Sequence, residues 1–214
     1  ATIHQNLKIG GNLSFDFIDA NQFIHSIDNE KEIIDKWLHK DRIYISCICN
    51  TYNHKKYIEK AIDSILTQNI DRQFEILIHD DLSTDGTRDI LRKYKKLYPS
   101  IIRLVLQDKN QYSQGKRILP IILPQAKGDY IALCEGDDFW CNKDKLSLQY
   151  EAILKSNSDI VFSSAHRVSE DGKKLGSLCQ HSEGERKFSI GDVICGGGGF
   201  MPTASIFFSK SVLY

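Results

Sequence analysis

The chain has 214 residues, 41% hydrophobic and 10% aromatic, which suits one well-packed domain carrying an appendage. Lysine plus arginine (28) balances aspartate plus glutamate (28), so no global field draws the chain to nucleic acid or to an anionic surface. No run approaches the roughly 20 apolar residues that span a bilayer, and Cys47, Cys49, Cys134, Cys141, Cys179 and Cys195 form no CxxC pair; buried free thiols in a cytoplasmic, reducing compartment are therefore expected.

Residues 1–41 read as an N-terminal extension packing on the main domain. Irregular apolar stretches such as Asn12–Ile18 and Phe23–Ile27 precede a predicted helix over Asp28–His39, whose Ile33, Ile34, Trp37 and Leu38 share one face. From Arg42 a strand–helix alternation begins. Ile43–Cys49 is a predicted strand, Asn50–His54 a loop, and Lys55–Gln68 a helix with Ile58, Ala61, Ile62, Ile65 and Leu66 inward. Phe74–His79 is a second strand, running into Asp80 and Asp81, with a helix from about Thr87 to Tyr98 behind it. A third strand spans Ile101–Leu106. A polar loop and a short helical stretch then lead to a fourth strand, Tyr130–Cys134. A helix over Lys145–Lys155, capped by Asp144, and a strand over Asp159–Ser164 follow.

Such alternation predicts an α/β domain with a mostly parallel sheet, here over 42–170, whose ligands bind at the carboxyl ends of the strands. Residues 171–214 change character and read as the start of an acceptor-side region. Asp171–Gly172 is a predicted turn, Ser189–Ile194 a short helix capped by Ser189, Cys195–Thr203 a flexible glycine loop, and Ala204–Phe208 a strand. The ending Ser211–Tyr214, just after a strand, leads us to expect a truncated N-terminal portion.

Three strands end in polar clusters: Asn50-Thr51-Tyr52-Asn53, Asp80-Asp81 and Glu135-Gly136-Asp137-Asp138. Carboxylates this crowded repel one another and call for a partner, and oxygen ligands suit magnesium or manganese. Gly136 lets a ligand approach the backbone, and Phe139 and Trp140 are placed to wall the site from water. Tyr52 and Asp81 can form a slot in which the ring stacks on a base while the carboxylate accepts from an imide N–H such as that of uracil. Asp81 can also be read as a helix cap, a task open to Ser83 and Asp85 as well.

The segments Ile48–Asn53, Asp80–Thr87 and Lys127–Ala132, followed by the acidic cluster, resemble glycosyltransferase family 2 in order and spacing. The likeness covers roughly 42–164 and is similar to bacterial enzymes of surface-polysaccharide biosynthesis. It implies the GT-A fold, a Rossmann-like sandwich, and inverting, metal-dependent transfer of a hexosyl or N-acetylhexosaminyl group from a UDP-sugar to a glycan or lipid-linked saccharide. Peripheral association of the full-length enzyme with the inner face of the membrane is part of that expectation. Tyr52 and Asp81, with the Asn50–Thr51 backbone, are implied at the uracil. Glu135, Asp137 and Asp138 are implied around the ribose and a diphosphate held by Mn2+ or Mg2+, with Asp137 or Asp138 the direct ligand.

The chain departs from the family at several places. Glu135 stands where aspartate opens the DxD-like motif, Asn50 where proline is common, and Leu119 near the place of a donor-side arginine, for which Lys116 or Arg117 can substitute. The general base of similar enzymes is an aspartate that would fall beyond Tyr214; the available His166, His181, Glu183 and Glu185 read as surface-loop residues. A nucleotide-sugar-binding fragment without turnover is thus the alternative. A sugar nucleotidyltransferase is discounted, because no glycine- and basic-rich phosphate loop follows the first strand.

Overall fold

A computed structural model of the protein describes residues 42–181 and 184–213. The predicted extension and its helix over Asp28–His39 lie outside these residues. The strands are β1 (Ile45–Thr51), β2 (Phe74–Asp80), β3 (Ile102–Leu106), β4 (Tyr130–Leu133), β5 (Ile160–Val161), β6 (Ala165–Val168), β7 (Lys174–Leu178) and β8 (Phe207–Ser209). The α-helices are α1 (Ile58–Leu66), α2 (Thr87–Leu97), α3 (Leu119–Ile122), α4 (Lys145–Ser156) and α5 (Ile190–Gly196).

Six strands form one sheet in the order β3-β2-β1-β4-β8-β5, and β6 with β7 makes a separate hairpin. The pairs β1–β2, β2–β3 and β1–β4 are parallel, so their carboxyl ends share one edge. β1 is buried on both faces because both are covered, as parallel strands require. Cys47 and Cys49 pack with Ile58, Ile62, Ile65, Leu91, Leu146 and Ile153 from α1, α2 and α4. Ile48 faces the other way, into a smaller cluster with Leu77, Ile122, Leu123 and Leu133 under α3. All six cysteines are free, and burial pushes the thiols of Cys47, Cys49 and Cys134 up, so they act as core side chains.

The predicted strand over Asp159–Ser164 shrinks to Ile160–Val161, and the last strand starts at Phe207 rather than Ala204, after a 3-10 turn at Thr203–Ser205. Both depend on one long-range pairing: β8 runs antiparallel between β4 and β5, matching Phe207 to Ala132 and to Val161. Lys55–Tyr57 form a turn before α1 begins at Ile58. Asp144 occupies the N-cap position of α4 without capping it; its carboxylate instead accepts from Asn69 Nδ2 at 2.9 Å. Ser189 does cap α5, through a reciprocal capping box with Asp192. The glycine run is not an open loop: Gly197–Gly199 is a 3-10 turn, and Phe200 packs so closely on Gly196 that a Cβ there would clash with its ring.

Candidate functional site

The parallel register brings the three polar clusters to one rim. Thr51 at the end of β1 lies opposite Asp80 at the end of β2. The acidic turn remains tied to β1 beyond the last paired residue of β4, Cys134 N–H donating to Ile48 O (3.0 Å) and Gly136 N–H to Asn50 O (2.8 Å). Asp138 N–H then donates to Glu135 O at 3.0 Å, closing a tight turn. Gly136 is required there by close approach, since a Cβ would lie 2.7 Å from Thr51 Oγ1 and 2.8 Å from His54 Nδ1.

The loops after β1 and β2 are laced into one platform. Asp81 N–H donates to Thr51 O (3.0 Å), Asn53 N–H to Ser83 Oγ (2.8 Å), Thr84 N–H to Asn53 Oδ1 (2.8 Å) and Lys55 N–H to Asp85 Oδ2 (3.0 Å). Asn53 and Leu82 sit at φ +56° and +72°, a left-handed conformation that costs energy and is held here by these ties. Tyr52 stands on this platform with 47% of its surface exposed. Gly86 holds the N-cap position of α2, and Asp85 before it accepts from Thr87 N–H and from Thr87 Oγ1.

Asp81 is buried and has a different occupation: its two carboxylate oxygens accept backbone N–H bonds from Gln111 (2.7 Å) and Tyr112 (2.9 Å) in the loop after β3. These two bonds use two of the roughly four acceptor positions of a carboxylate. Lys116 and Arg117 are exposed on that same loop, with Lys116 Nζ donating to Gln111 Oε1 at 2.8 Å. Neighbouring Asp80 is fully buried and paired with Arg88 of α2, which also donates to Gln107 O.

The acidic turn has an electrostatic strain that a cation would relieve. Burial first, then the charges of Asp138 and Asp137, hold the Glu135 carboxyl above the usual carboxylate range. Asp138 is raised by burial and by Asp137, with His54 acting in the opposite direction. His54 Nε2 lies 3.8 Å from Asp137 Oδ2. Among the described residues, no group of three His, Cys, Asp or Glu side chains is arranged to enclose a metal by itself. Trp140 does not wall the site: it is buried in the core, with N–H donating to Ser64 Oγ and Nε1–H to Ala204 O. Phe139 stays half-buried, covered by Lys60 Nζ at 3.5 Å from its ring.

Buried polar atoms without a hydrogen-bond partner gather here too. Among the described residues they are Asn50 Oδ1, Thr51 Oγ1, His54 Nδ1, both ring nitrogens of His79, Asp80 Oδ2 and, away from the rim, Ser156 Oγ. Such atoms are costly unless a ligand or water meets them. His54, His79 and Arg88 have no role that the sequence alone suggests; the available signal is only that His54 and His79 adjoin strand-end clusters, whereas Arg88 opens the helix after one. Of the side chains weighed there as acids or bases, His181 joins a ring cluster with Phe162, Phe188 and Phe200, and His166 Nδ1 meets Ser177 Oγ at 3.1 Å. Glu185 is exposed and Glu183 lies outside the described residues. No helix among the described residues is long and apolar enough to cross a membrane.

The family model for glycosyl transferase family 2 matches residues 46–213. The protein of Bacillus subtilis (strain 168) named as a teichuronic acid biosynthesis glycosyltransferase, TuaG, is 34% identical over 139 residues, 65% of this chain and 53% of TuaG. The dTDP-rhamnosyl transferase RfbG of Shigella flexneri is 30% identical over 140 residues, 64% of this chain and 47% of RfbG. The matched part thus spans about half the length of these relatives, and 37% of the length of others at similar identity. The crystal structure of residues 1–349 of S. aureus TarS in complex with UDP superposes with a TM-score of 0.62 at 22% identity, covering 80% of this chain and 48% of that one. That likeness establishes the fold as GT-A.

Proposed function

The chain belongs to glycosyl transferase family 2, and on that footing we propose that it forms the donor-binding part of an inverting, metal-dependent glycosyltransferase using a UDP-sugar. The reading is carried by one observation: crowded carboxylates and unpartnered buried polar atoms converge at the carboxyl edge of a parallel sheet. In this reading Tyr52 stacks on uracil and Asp81 accepts the imide N–H through its remaining acceptor positions, beside the Asn50–Thr51 backbone. Glu135 reaches the ribose, and Asp137 with Asp138 holds Mn2+ or Mg2+ against the diphosphate, where Lys116 or Arg117 adds a contact. The cation, when bound, offsets the negative charge that grows on the departing diphosphate. The acidic turn fixes its own carboxylates through the Gly136–Asn50 and Asp138–Glu135 bonds, so that this charge compensation is in place before the bond breaks. An acceptor hydroxyl on a surface glycan, free or lipid-linked, attacks the opposite face of the sugar, and none of the described residues is assigned as its base.

Calorimetry with UDP, with and without Mn2+, combined with a donor-hydrolysis assay on a panel of UDP-sugars, tests the proposal. Metal-dependent UDP binding with transfer or hydrolysis is expected. Binding without either supports a donor-binding fragment lacking turnover, and absence of UDP binding in the presence of metal refutes both. The RfbG likeness makes dTDP the natural competitor, since thymine presents the same imide edge; tighter binding of dTDP than UDP would redirect the donor assignment.

A further inference from the structure

We infer that Tyr112 is a second aromatic contact for the nucleobase of the donor, held at the rim by Asp81 acting as its positioning residue. The inference rests on the nucleotide-binding reading of the rim and adds a residue to it. Tyr112 is 77% exposed. A lone exposed tyrosine is ordinary, but this one sits on a turn built with unusual care. Its own N–H and that of Gln111 both end on the buried Asp81 carboxylate. Ser113 N–H donates to Asn110 Oδ1 (2.7 Å), Gly115 N–H to Tyr112 O (2.9 Å) and Lys116 Nζ to Gln111 Oε1 (2.8 Å). Gly115 takes φ +76°, the left-handed conformation that lets the turn close.

Asp81 is also the hinge between the two tyrosines. Its N–H is bonded to Thr51 O, the residue before Tyr52, and its carboxylate to Tyr112 N–H. The two exposed rings therefore spring from backbone fixed to the same buried aspartate. A planar base whose imide meets the remaining lone pairs of Asp81 has a ring available from the β1 loop and another from the loop after β3. The ordering cost of that loop is met in the free protein by Asp81, so stacking on Tyr112 adds to affinity with little further loss of freedom. This also gives a buried carboxylate at a base-binding rim a reason to spend half its acceptor capacity on backbone amides.

The test is calorimetric titration of the whole chain, with Mn2+ present, using UDP, uridine and inorganic pyrophosphate against wild type, Tyr112→Ala and Tyr112→Phe. Tyr112→Ala is expected to weaken UDP and uridine by the same factor, roughly tenfold, as loss of one base–aromatic stack requires. Tyr112→Phe keeps the wild-type affinities, and pyrophosphate binds all three proteins alike. Unchanged uridine and UDP affinity in Tyr112→Ala overturns the inference while leaving the nucleotide-binding reading standing. So does loss of affinity in Tyr112→Phe, or equal weakening of pyrophosphate, since neither follows from stacking. Failure of the wild type to bind UDP at all overturns the reading beneath it.

Discussion

Gly136→Ala is the smallest perturbation that strains the site from within. The added methyl would lie 2.7 Å from Thr51 Oγ1, 2.8 Å from His54 Nδ1 and 2.8 Å from Thr51 Cβ. Ordinary contacts begin near ~3.5 Å, so the acidic turn and the β1 end must separate by most of an ångström. Thr51 is buried within the β1–β2 pairing and cannot swing outward, which leaves the turn to move. Overpacking of this kind costs about 1–3 kcal/mol, and a chain of this size loses roughly 2–4 °C of melting temperature per kcal/mol. If about 1.4 kcal/mol of that strain is relieved by displacing Asp137 and Asp138, Mn2+-dependent UDP affinity falls roughly tenfold. Thermal melts and titrations of the variant measure both. An unchanged melting temperature together with unchanged UDP affinity would refute the argument that Gly136 is there for close approach.

Asp138→Asn should abolish metal-dependent UDP binding while leaving the metal-free melting temperature equal to or above wild type, because it removes repulsion at the turn. Collapse of stability with UDP affinity retained would make the acid structural. The raised carboxyls of Glu135 and Asp138 add a pH signature: in the window above the ordinary carboxylate range the folded protein holds protons that the unfolded chain has released. Metal binding is therefore expected to weaken as pH falls through that window, earlier than for an ordinary carboxylate, whereas these groups lend stability as they protonate. Arg88→Ala should cost about 3–5 kcal/mol by denaturant titration, since it strands the fully buried Asp80 charge; a loss below about 1 kcal/mol would show the pair to be solvated. Lys145, its Nζ bonded to Gln149 Oε1 and 4.2 Å from the Trp140 ring, has its pKa lowered to about 8 by burial. Below pH 8 both folded and unfolded chains keep this proton and the cost of burying it is complete; between about 8 and the ordinary 10.5 only the unfolded chain keeps it, and stability rises. Relative to wild type, Lys145→Met should thus lose up to about 3 kcal/mol of any advantage across that window, and a pH-independent difference would refute the shift.

The alternation from Arg42 and the polar strand ends were enough to read the sheet and its ligand-binding edge, because period-two and period-3.6 patterns are local. The partners of those ends were not readable. Asp80 and Asp81 look alike in sequence, yet one is neutralised by Arg88 from the following helix and the other clamps a loop 30 residues on. Alternation along the strand points the two in opposite directions, but which one meets Arg88 and which one meets the loop is decided by segments that only the tertiary fold brings in. Trp140 was misplaced for the same reason: next to an acidic turn it looked like a wall, whereas its indole N–H finds Ala204 O and buries the ring. The short β5 was overextended because its length is set by β8, a segment nearly 50 residues later.

The position of β8 has a bearing on how the molecule is assembled. β4 and β5 are not neighbours in the sheet; the strand between them is supplied by Phe207–Ser209. The four-stranded block β3-β2-β1-β4 uses only chain up to Leu133, but its flank at Tyr130–Ala132 stays an open ladder until Phe207–Ser209 has been made and docks on it. A nascent chain released before that point offers an apolar edge to any neighbour, the usual route to intermolecular strand pairing. The late strand therefore serves as a latch against self-association, and hydrogen exchange at Ile131 and Leu133 would report when it closes.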